Sequence, residues 1–528
     1  MLYIRNQFDR AVEQLLLPTT YDELPLQVSL LETHISWVFL TDRFAYKMKK
    51  PVQFPFVDFS TGDLRHAACE EEVRLNRRLA QNVYLDVVPL TVDQNGEYHV
   101  DGPGNEIEWL VKMRKLRESA TLESLMARNS VPAGAIGQLT TKLTDFYRHA
   151  VRIRQTGQAY ARRVEQHVRD NLRELTETAP ADCRNTIQQV HAAQLRFLRA
   201  HQTTLAARAD NGYIVEGHGD LRPEHIYLES PPVIIDCVEF NRELRQCDVL
   251  DDLGFLAMEC DRARHEEIGR QIVDHYRHAT GDVYDETLLE FYKLYRACVR
   301  AKVSQCRSQQ IDSASETAKQ QQTEQTYLDL ARRYAKHLGP PLLLVMSGTV
   351  GSGKSTLAHA LQQELAADLY RTDIVRQQMF SDHRGTPSAP NQGKYDPATR
   401  RQVYEKLFDL AAIALAEGHS VILDGTFPKQ TLRSTAYELA QHHGARFVVV
   451  HCHCPNAVAR QRIVQRLESK SDPSEAQPQW FDDLVKDFEP VTPTIPHIAV
   501  FTQMAVPEQV ERVLRRFTDS SRAAYNTP

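Results

Sequence analysis

The chain has 528 residues, with 63 Lys and Arg against 69 Asp and Glu (net charge −6), 42% hydrophobic and 25% charged residues. About 150 residues per domain allows roughly three domain-sized units, and this balance excludes collagen-like and disordered classes and argues against a basic nucleic-acid-binding surface. No apolar run approaches the roughly 20 residues of a membrane helix, and nine Cys without a C-x-x-C pair point to a reduced, cytoplasmic chain with no disulfide framework.

The opening MLYIRNQFDRAVEQLLLP scatters Arg5, Asp9, Arg10 and Glu13 through what would be the apolar core of a secretory signal, so it reads as an amphipathic helix. β-rich text follows over 31–58 (HISWVFL, RFAYKMKK), then a helix over 64–80 and a strand over 84–92. Gly102, Pro103 and Gly104 mark a turn before a further strand in EWLVKMRKL. Helical periodicity dominates from 121 to about 208. A short β block at 213–217, 225–228 and 233–237 precedes helices from about 248 to 337, the last stopped by Gly339, Pro340 and Pro341. That stop sets the expected boundary between domains 1–338 and 339–528.

Beyond it strands are expected at 342–346, 368–371, 420–423, 446–451 and 497–501. Helices fill the intervals: one to 367, then 398–417, 429–443, one from 457 and a final one, with a polar segment at 468–479. The alternation predicts a parallel sheet covered on both faces, an α/β domain behind an α+β one.

The strongest motif opens this second domain. Gly348-Thr349-Val350-Gly351-Ser352-Gly353-Lys354-Ser355, followed by Thr356, is G-x-x-x-x-G-K-S directly after an apolar strand and directly before a helix, the context a P-loop requires. Glycines let the backbone curl around phosphate oxygens, the helix N-terminus faces the anion, Lys354 reaches the outer phosphates and Ser355 supplies a hydroxyl to Mg²⁺. Val421-Ile-Leu-Asp424 is an apolar strand ending in a carboxylate, placed to support the same cation. Asp373 and Arg376 follow the second strand at the carboxyl edge of the sheet, where Asp373 could take the proton of an acceptor hydroxyl and Arg376 hold the substrate. Arg462 and Arg466 share one helix face beside the polar segment and could close as a lid on the transferring phosphoryl group. His451-Cys-His-Cys454 reads as a sheet strand, because the two His and the two Cys of an extended segment point to opposite faces and cannot converge on a metal.

This last segment resembles the small P-loop kinases of the gluconate-kinase-like, zeta-toxin-like and polynucleotide 5′-hydroxyl kinase group, within the AAA-type P-loop proteins. The resemblance implies the roles given above to Asp373, Arg376, Arg462 and Arg466.

In the first domain, His218-Gly-Asp220-Leu-Arg-Pro-Glu-His225 has the spacing H-x-D-L-x-x-x-N of a kinase catalytic loop, with His225 in the Asn position, and Val233-Ile-Ile-Asp236 ends a strand in a second carboxylate. Asp220 and Asp236 form the pair that phosphoryl transfer needs, one orienting the acceptor hydroxyl and one binding Mg²⁺. Upstream, Lys47 fits the strand lysine that contacts phosphates, with Lys49 on the same face as the alternative, and Glu72 fits its helix partner, with Glu71 as the alternative. Residues 1–338 therefore resemble the aminoglycoside-phosphotransferase branch of the protein-kinase-like fold. The resemblance implies ATP-dependent phosphorylation of a small-molecule hydroxyl, with Asp220 as base and Asp236 and His225 at the metal. Two departures accompany it: His225 offers nitrogen where Mg²⁺ prefers oxygen, and no Gly-rich loop precedes Lys47, leaving 33–41 to cover the nucleotide.

The joined order resembles bacterial bifunctional aminoglycoside phosphotransferase and ATP-binding proteins. The expected cofactors are ATP and Mg²⁺, and the expected partner is a small hydroxylated substrate, with neither membrane nor nucleic acid. Two alternatives are a nucleotide-sensing regulator with a silent first half and a polynucleotide 5′-hydroxyl kinase.

Overall fold

In the computed structural model the described residues are 2–54, 57–309, 311, 313–380, 396–469 and 477–523. Most of the polar segment expected as a lid, 470–476, lies outside them. The chain forms two compact units interleaved in sequence, Met1–Gly157 with Ala207–Arg296, and Gln158–Ala206 with Ala297–Pro528. The helices Ala181–Ala200 and Ala314–Ala335 therefore belong with the P-loop sheet. No helix among the described residues is long and apolar enough to cross a membrane.

In the first unit an antiparallel sheet of six strands runs in the order Ser29–Glu32, Ser36–Leu40, Phe44–Lys49, Asn105–Arg114, Tyr84–Val92, Tyr98–Val100. The helix Gly62–Ala80 starts where the Thr61 hydroxyl accepts a hydrogen bond from the Leu64 amide, satisfying one of the donors a helix start leaves open. Its buried Cys69, Val73 and Ala80 pack on Val38, Ala45, Val111 and Met113 of the sheet. Glu72 falls on the same face, and that packing carries it to the strand bearing Lys47. The loop after Ile214–Glu216 is held from below by the helix Val249–Arg262, whose Asp252 accepts the amides of His218 at 2.6 Å and Gly219 at 2.8 Å.

The second unit carries a five-stranded parallel sheet in the order Asp368–Arg371, Val421–Asp424, Leu342–Ser347, Arg446–His453, His497–Phe501. All six residues of the central strand are buried, the pattern of a strand covered on both faces. Alternate residues feed two cores: Leu343 and Val345 one, Leu342, Leu344 and Met346 the other. Strand order reverses beside the central strand, so the loop after Ser347 opens at the switch point where such sheets bind ligands. The helix Ala181–Ala200 is tied to this sheet. Arg199 pairs with Glu364 in the helix Lys354–Leu365, and Arg196 donates to the Ser420 hydroxyl at 3.2 Å.

The structure adds a helix at Thr372–Met379, carrying Asp373 and Arg376 in its first two turns. His451 and His453 share a face of their strand, with ring centroids 5.8 Å apart, while Cys452 is buried on the other.

Candidate functional site

In the P-loop two glycines are required by close approach. Gly348 has φ 144° and a β-carbon there would strike the Cys452 carbonyl, and Gly351 has φ 78° and faces the Ala459 carbonyl in the same way. The loop delivers Lys354 and Ser355 to the first turn of the helix Lys354–Leu365. Lys354 is 8% exposed and donates to the Thr349 carbonyl at 2.7 Å. Burial pulls its ammonium below the ordinary value, opposed by Asp424. A phosphate oxygen at that nitrogen would therefore meet a poorly solvated cation.

The register of the parallel strands sets Asp424 beside both Met346 and Arg371. Arg371, 6% exposed, donates from Nε to Asp424 Oδ2 at 3.1 Å. Asp424 Oδ1 is buried beside the Ser355 hydroxyl. Burial pushes the carboxyl up, and Ser355, Lys354 and Arg371 oppose it. A buried carboxylate oxygen beside a hydroxyl is a donor set of the hard-oxygen kind that suits Mg²⁺, so Ser355 and Asp424 fit that cation. Asp373 and Arg376 lie one helical turn apart and are paired at 2.8 Å. A cavity of about 700 Å³ is lined by Lys354, Ser355, Asp373, Arg376, Asp424 and Arg466, among others. Arg462 also reaches this cavity, but its guanidinium donates to the Thr502 hydroxyl at 3.0 Å and the Thr502 carbonyl at 2.8 Å. Thr502 in turn donates to the Ser352 carbonyl at 2.7 Å. Arg462 thus braces the P-loop through Thr502.

The first unit gathers its own constellation. Lys47 Nζ lies 2.8 Å from Glu72 Oε1 and 2.9 Å from Asp236 Oδ1. Lys49 pairs with the other Glu72 oxygen and with Glu239, so both candidate lysines share Glu72. Glu71 turns away to Arg74 and Arg245. Burial would push the Asp236 carboxyl up, yet Lys47 and His225 hold it well below the usual carboxylate range. Asp236 sits at φ 64°, a left-handed conformation that Asp tolerates better than most residues. His225 Nε2 lies 3.5 Å from Asp236 Oδ2, and Asp220 Oδ2 lies 2.9 Å from Arg222. Beneath them His218, fully buried, accepts the Asp220 amide on Nδ1 at 3.2 Å and contacts the Ile235 carbonyl through Nε2 at 3.0 Å.

Residues 343–491 match the AAA_33 family, described as an AAA domain. Over 452 residues the chain is 32% identical to the uncharacterized protein Rv2004c of Mycobacterium tuberculosis (strain ATCC 25618 / H37Rv), covering 84% of this chain and 87% of that one. The uncharacterized protein Mb2027c of Mycobacterium bovis matches with the same figures. The chain belongs to the family of these mycobacterial proteins. Among solved structures, a sugar kinase from Janibacter sp. HTCC2649 is 20% identical, over 33% of this chain and 94% of that one, with a TM-score of 0.27. A gluconokinase from Sinorhizobium meliloti 1021 is 18% identical, over 35% and 97%, with a TM-score of 0.27. The C-terminal part of this family member is accordingly a P-loop domain of the AAA type built on a parallel sheet.

Of the residues singled out in the sequence, Thr349, Val350, Gly351, Gly353, Lys354, Ser355, Thr356, Asp373, Arg376, Asp424, Arg462 and Arg466 line one cavity. Gly348 and Ser352 stand behind it as supports, with Gly348 against the Cys452 carbonyl and the Ser352 carbonyl bonded to Thr502. In the first unit, Lys47, Glu72, Asp236, His225 and Asp220 form one continuous polar cluster. Sequence reasoning missed Arg371, Thr502 and Arg222. Arg222 lay within the quoted motif, two residues after Asp220, and an arginine so close to a candidate base was the available signal. No local signal marks the other two, because their partners are 53 and 150 residues away along the chain.

Proposed function

We propose that the protein is an ATP-dependent phosphotransferase in which the P-loop half transfers the γ-phosphoryl group of ATP to a hydroxyl of a small molecule, and the first half is a second kinase-like site. The observation that carries this reading is the convergence, in one cavity, of Lys354, Ser355 and Asp424 with the Asp373–Arg376 pair. Nucleotide phosphates would lie in the P-loop, with Lys354 on the outer phosphates. Ser355 and Asp424 would hold Mg²⁺, which neutralises charge on the β- and γ-phosphates. Asp373 is then the group to accept the proton of the acceptor hydroxyl, and Arg376, paired with it at 2.8 Å, fixes that carboxylate at the cavity wall.

Calorimetric titration of the full chain with ATP and Mg²⁺ tests the binding half of this reading. Lys354→Ala is expected to weaken binding about tenfold or more and Asp424→Asn to abolish the gain that Mg²⁺ gives. Unchanged binding and turnover in Lys354→Ala would overturn it.

The imidazole of His225, standing 3.5 Å from Asp236 where the kinase pattern has an amide oxygen, supports a second reading for the first half alone, a nucleotide sensor, since Mg²⁺ prefers oxygen ligands. Nucleotide binding at this half with no product lost in Asp220→Ala is what that reading expects.

A further inference from the structure

We propose that the acceptor of the P-loop half is an alcohol carrying a planar aromatic or heteroaromatic ring, which packs against Phe488 and Trp480. The proposal rests on the phosphotransferase reading of that half and names the class of molecule it acts on.

The cavity that holds the Asp373–Arg376 pair is also lined by Tyr404, Pro428, Trp480, Leu484 and Phe488. These side chains stand on the acceptor side. Tyr404, in the helix Pro397–Ala416, lies close enough to Asp373 and Arg376 for both charges to act on its hydroxyl. One turn earlier on the same helix, Arg400 pairs at 3.7 Å with Asp487, the neighbour of Phe488. The polar groups of this wall are engaged with one another. The Tyr404 hydroxyl accepts the Phe427 amide at 3.1 Å, and Asp487 meets Lys429 at 2.9 Å as well as Arg400. An open-chain polyol would therefore find rings where it needs hydrogen-bond partners.

Phe488 is held as a fixed platform. Arg433, 1% exposed, donates to the carbonyls of Phe427 at 2.8 Å, Glu489 at 3.1 Å and Pro490 at 2.9 Å. One guanidinium thus ties together the two segments that carry Pro428 and Phe488, and the Glu489 amide adds a bond to the Pro428 carbonyl at 2.8 Å. The His451 ring stacks on Phe488 with centroids 5.7 Å and planes 13° apart. Burial pushes that imidazole down to about 4, so it is uncharged at neutral pH and packs as a ring. Phe488 meets the cavity with the part of its ring that His451 leaves uncovered. Trp480 is set by its neighbour Phe481, which is buried with Ala459 and Ile463 of the helix Asn456–Ser469.

The wall therefore offers what a π system takes. Aromatic rings gain from offset or edge-on contact with one another beyond the area they bury. The guanidinium groups of Arg376 and Arg400, in the same cavity, favour a π face as well. A saturated ring or an open chain of equal size would gain the area alone.

Saturation-transfer difference NMR of the full chain, with ADP and Mg²⁺ added to fill the nucleotide end of the cavity, separates these classes. The probes are benzyl alcohol, cyclohexylmethanol and xylitol. The expected result is saturation of the benzyl alcohol ring protons, with tighter binding than either other probe shows. That affinity should fall about threefold to tenfold in Phe488→Leu and in Trp480→Leu, which keep an apolar side chain, and be largely restored in Phe488→Tyr. No saturation of benzyl alcohol, equal binding of cyclohexylmethanol, or unchanged affinity in both Leu variants would overturn the proposal. The ADP signals in the same samples report on the underlying reading. ADP saturation without ring saturation overturns the ring class alone, whereas absence of both strikes the phosphotransferase reading with it.

Discussion

At the scale of single residues, the two sites share a device: a carboxylate with one oxygen tied to a cationic side chain. Arg371 serves Asp424 in this way and Lys47 serves Asp236. Arg371→Met should leave the Asp424 carboxyl less opposed in its burial, so its pKa, already raised, moves higher. If ionised Asp424 supports the cation, the acidic limb of the P-loop activity then shifts to higher pH, with Arg371→Lys restoring part of the shift. A pH–rate profile unchanged in Arg371→Met would count against this positioning role. His218 gives a stability prediction of opposite sense. Burial pushes its imidazole down to about 4 from an ordinary 6.5. Between those values the unfolded chain binds the proton and the folded chain does not, so His218's contribution is complete above pH 6.5 and is lost as the pH falls toward 4. The full span corresponds to about 3 kcal/mol. Urea midpoints measured at neutral pH and near pH 5 should converge less in the wild type than in His218→Gln, whose own cost is independent of pH; parallel losses in both proteins would refute this.

At the scale of elements, the P-loop turn is where backbone geometry is most demanding. Gly351→Ala places a β-carbon against the Ala459 carbonyl at a positive φ, and should cost about 1–3 kcal/mol together with nucleotide binding. Gly444, also at positive φ but with open space around it, is the control, and its replacement by Ala should spare binding. Equal effects of the two on ATP titrations would mean that strain alone, and not the close approach, decides. Element identities were legible where periodicity is unambiguous: the strands Tyr84–Val92, Asp368–Arg371 and His497–Phe501 lie where alternation and turn residues put them. The helix Thr372–Met379 was not legible. Eight residues are too few to establish a 3.6-residue period, and it follows its strand without a turn residue between them. For the candidate sites, motif residues close together in sequence were readable, since one loop or one helix turn fixes their relation. The Arg371–Asp424 contact depends on parallel register, and the Arg462–Thr502 brace on how a helix packs beside a sheet edge, and neither relation is written in local spacing.

At the scale of the whole molecule, the chain passes between its two compact units three times, near residues 157, 206 and 296. The helices Gly157–Thr178 and Ala181–Ala200 supply Arg169 and Arg199 to Glu364, and Arg196 to Ser420, all within the P-loop unit. A fragment of residues 339–528 loses those partners and exposes the surface they cover. Its thermal midpoint should lie well below that of the full chain, and equal midpoints would show that the added helices contribute nothing to this unit. The central claim, that the P-loop half phosphorylates a small hydroxylated molecule, is tested most directly by mass spectrometry of a metabolite extract incubated with ATP, Mg²⁺ and the full chain, as wild type, Lys354→Ala or Asp220→Ala. The expected result is a product heavier by one phosphoryl group that Lys354→Ala does not make and Asp220→Ala still does, and the same product at wild-type yield from Lys354→Ala would contradict the claim.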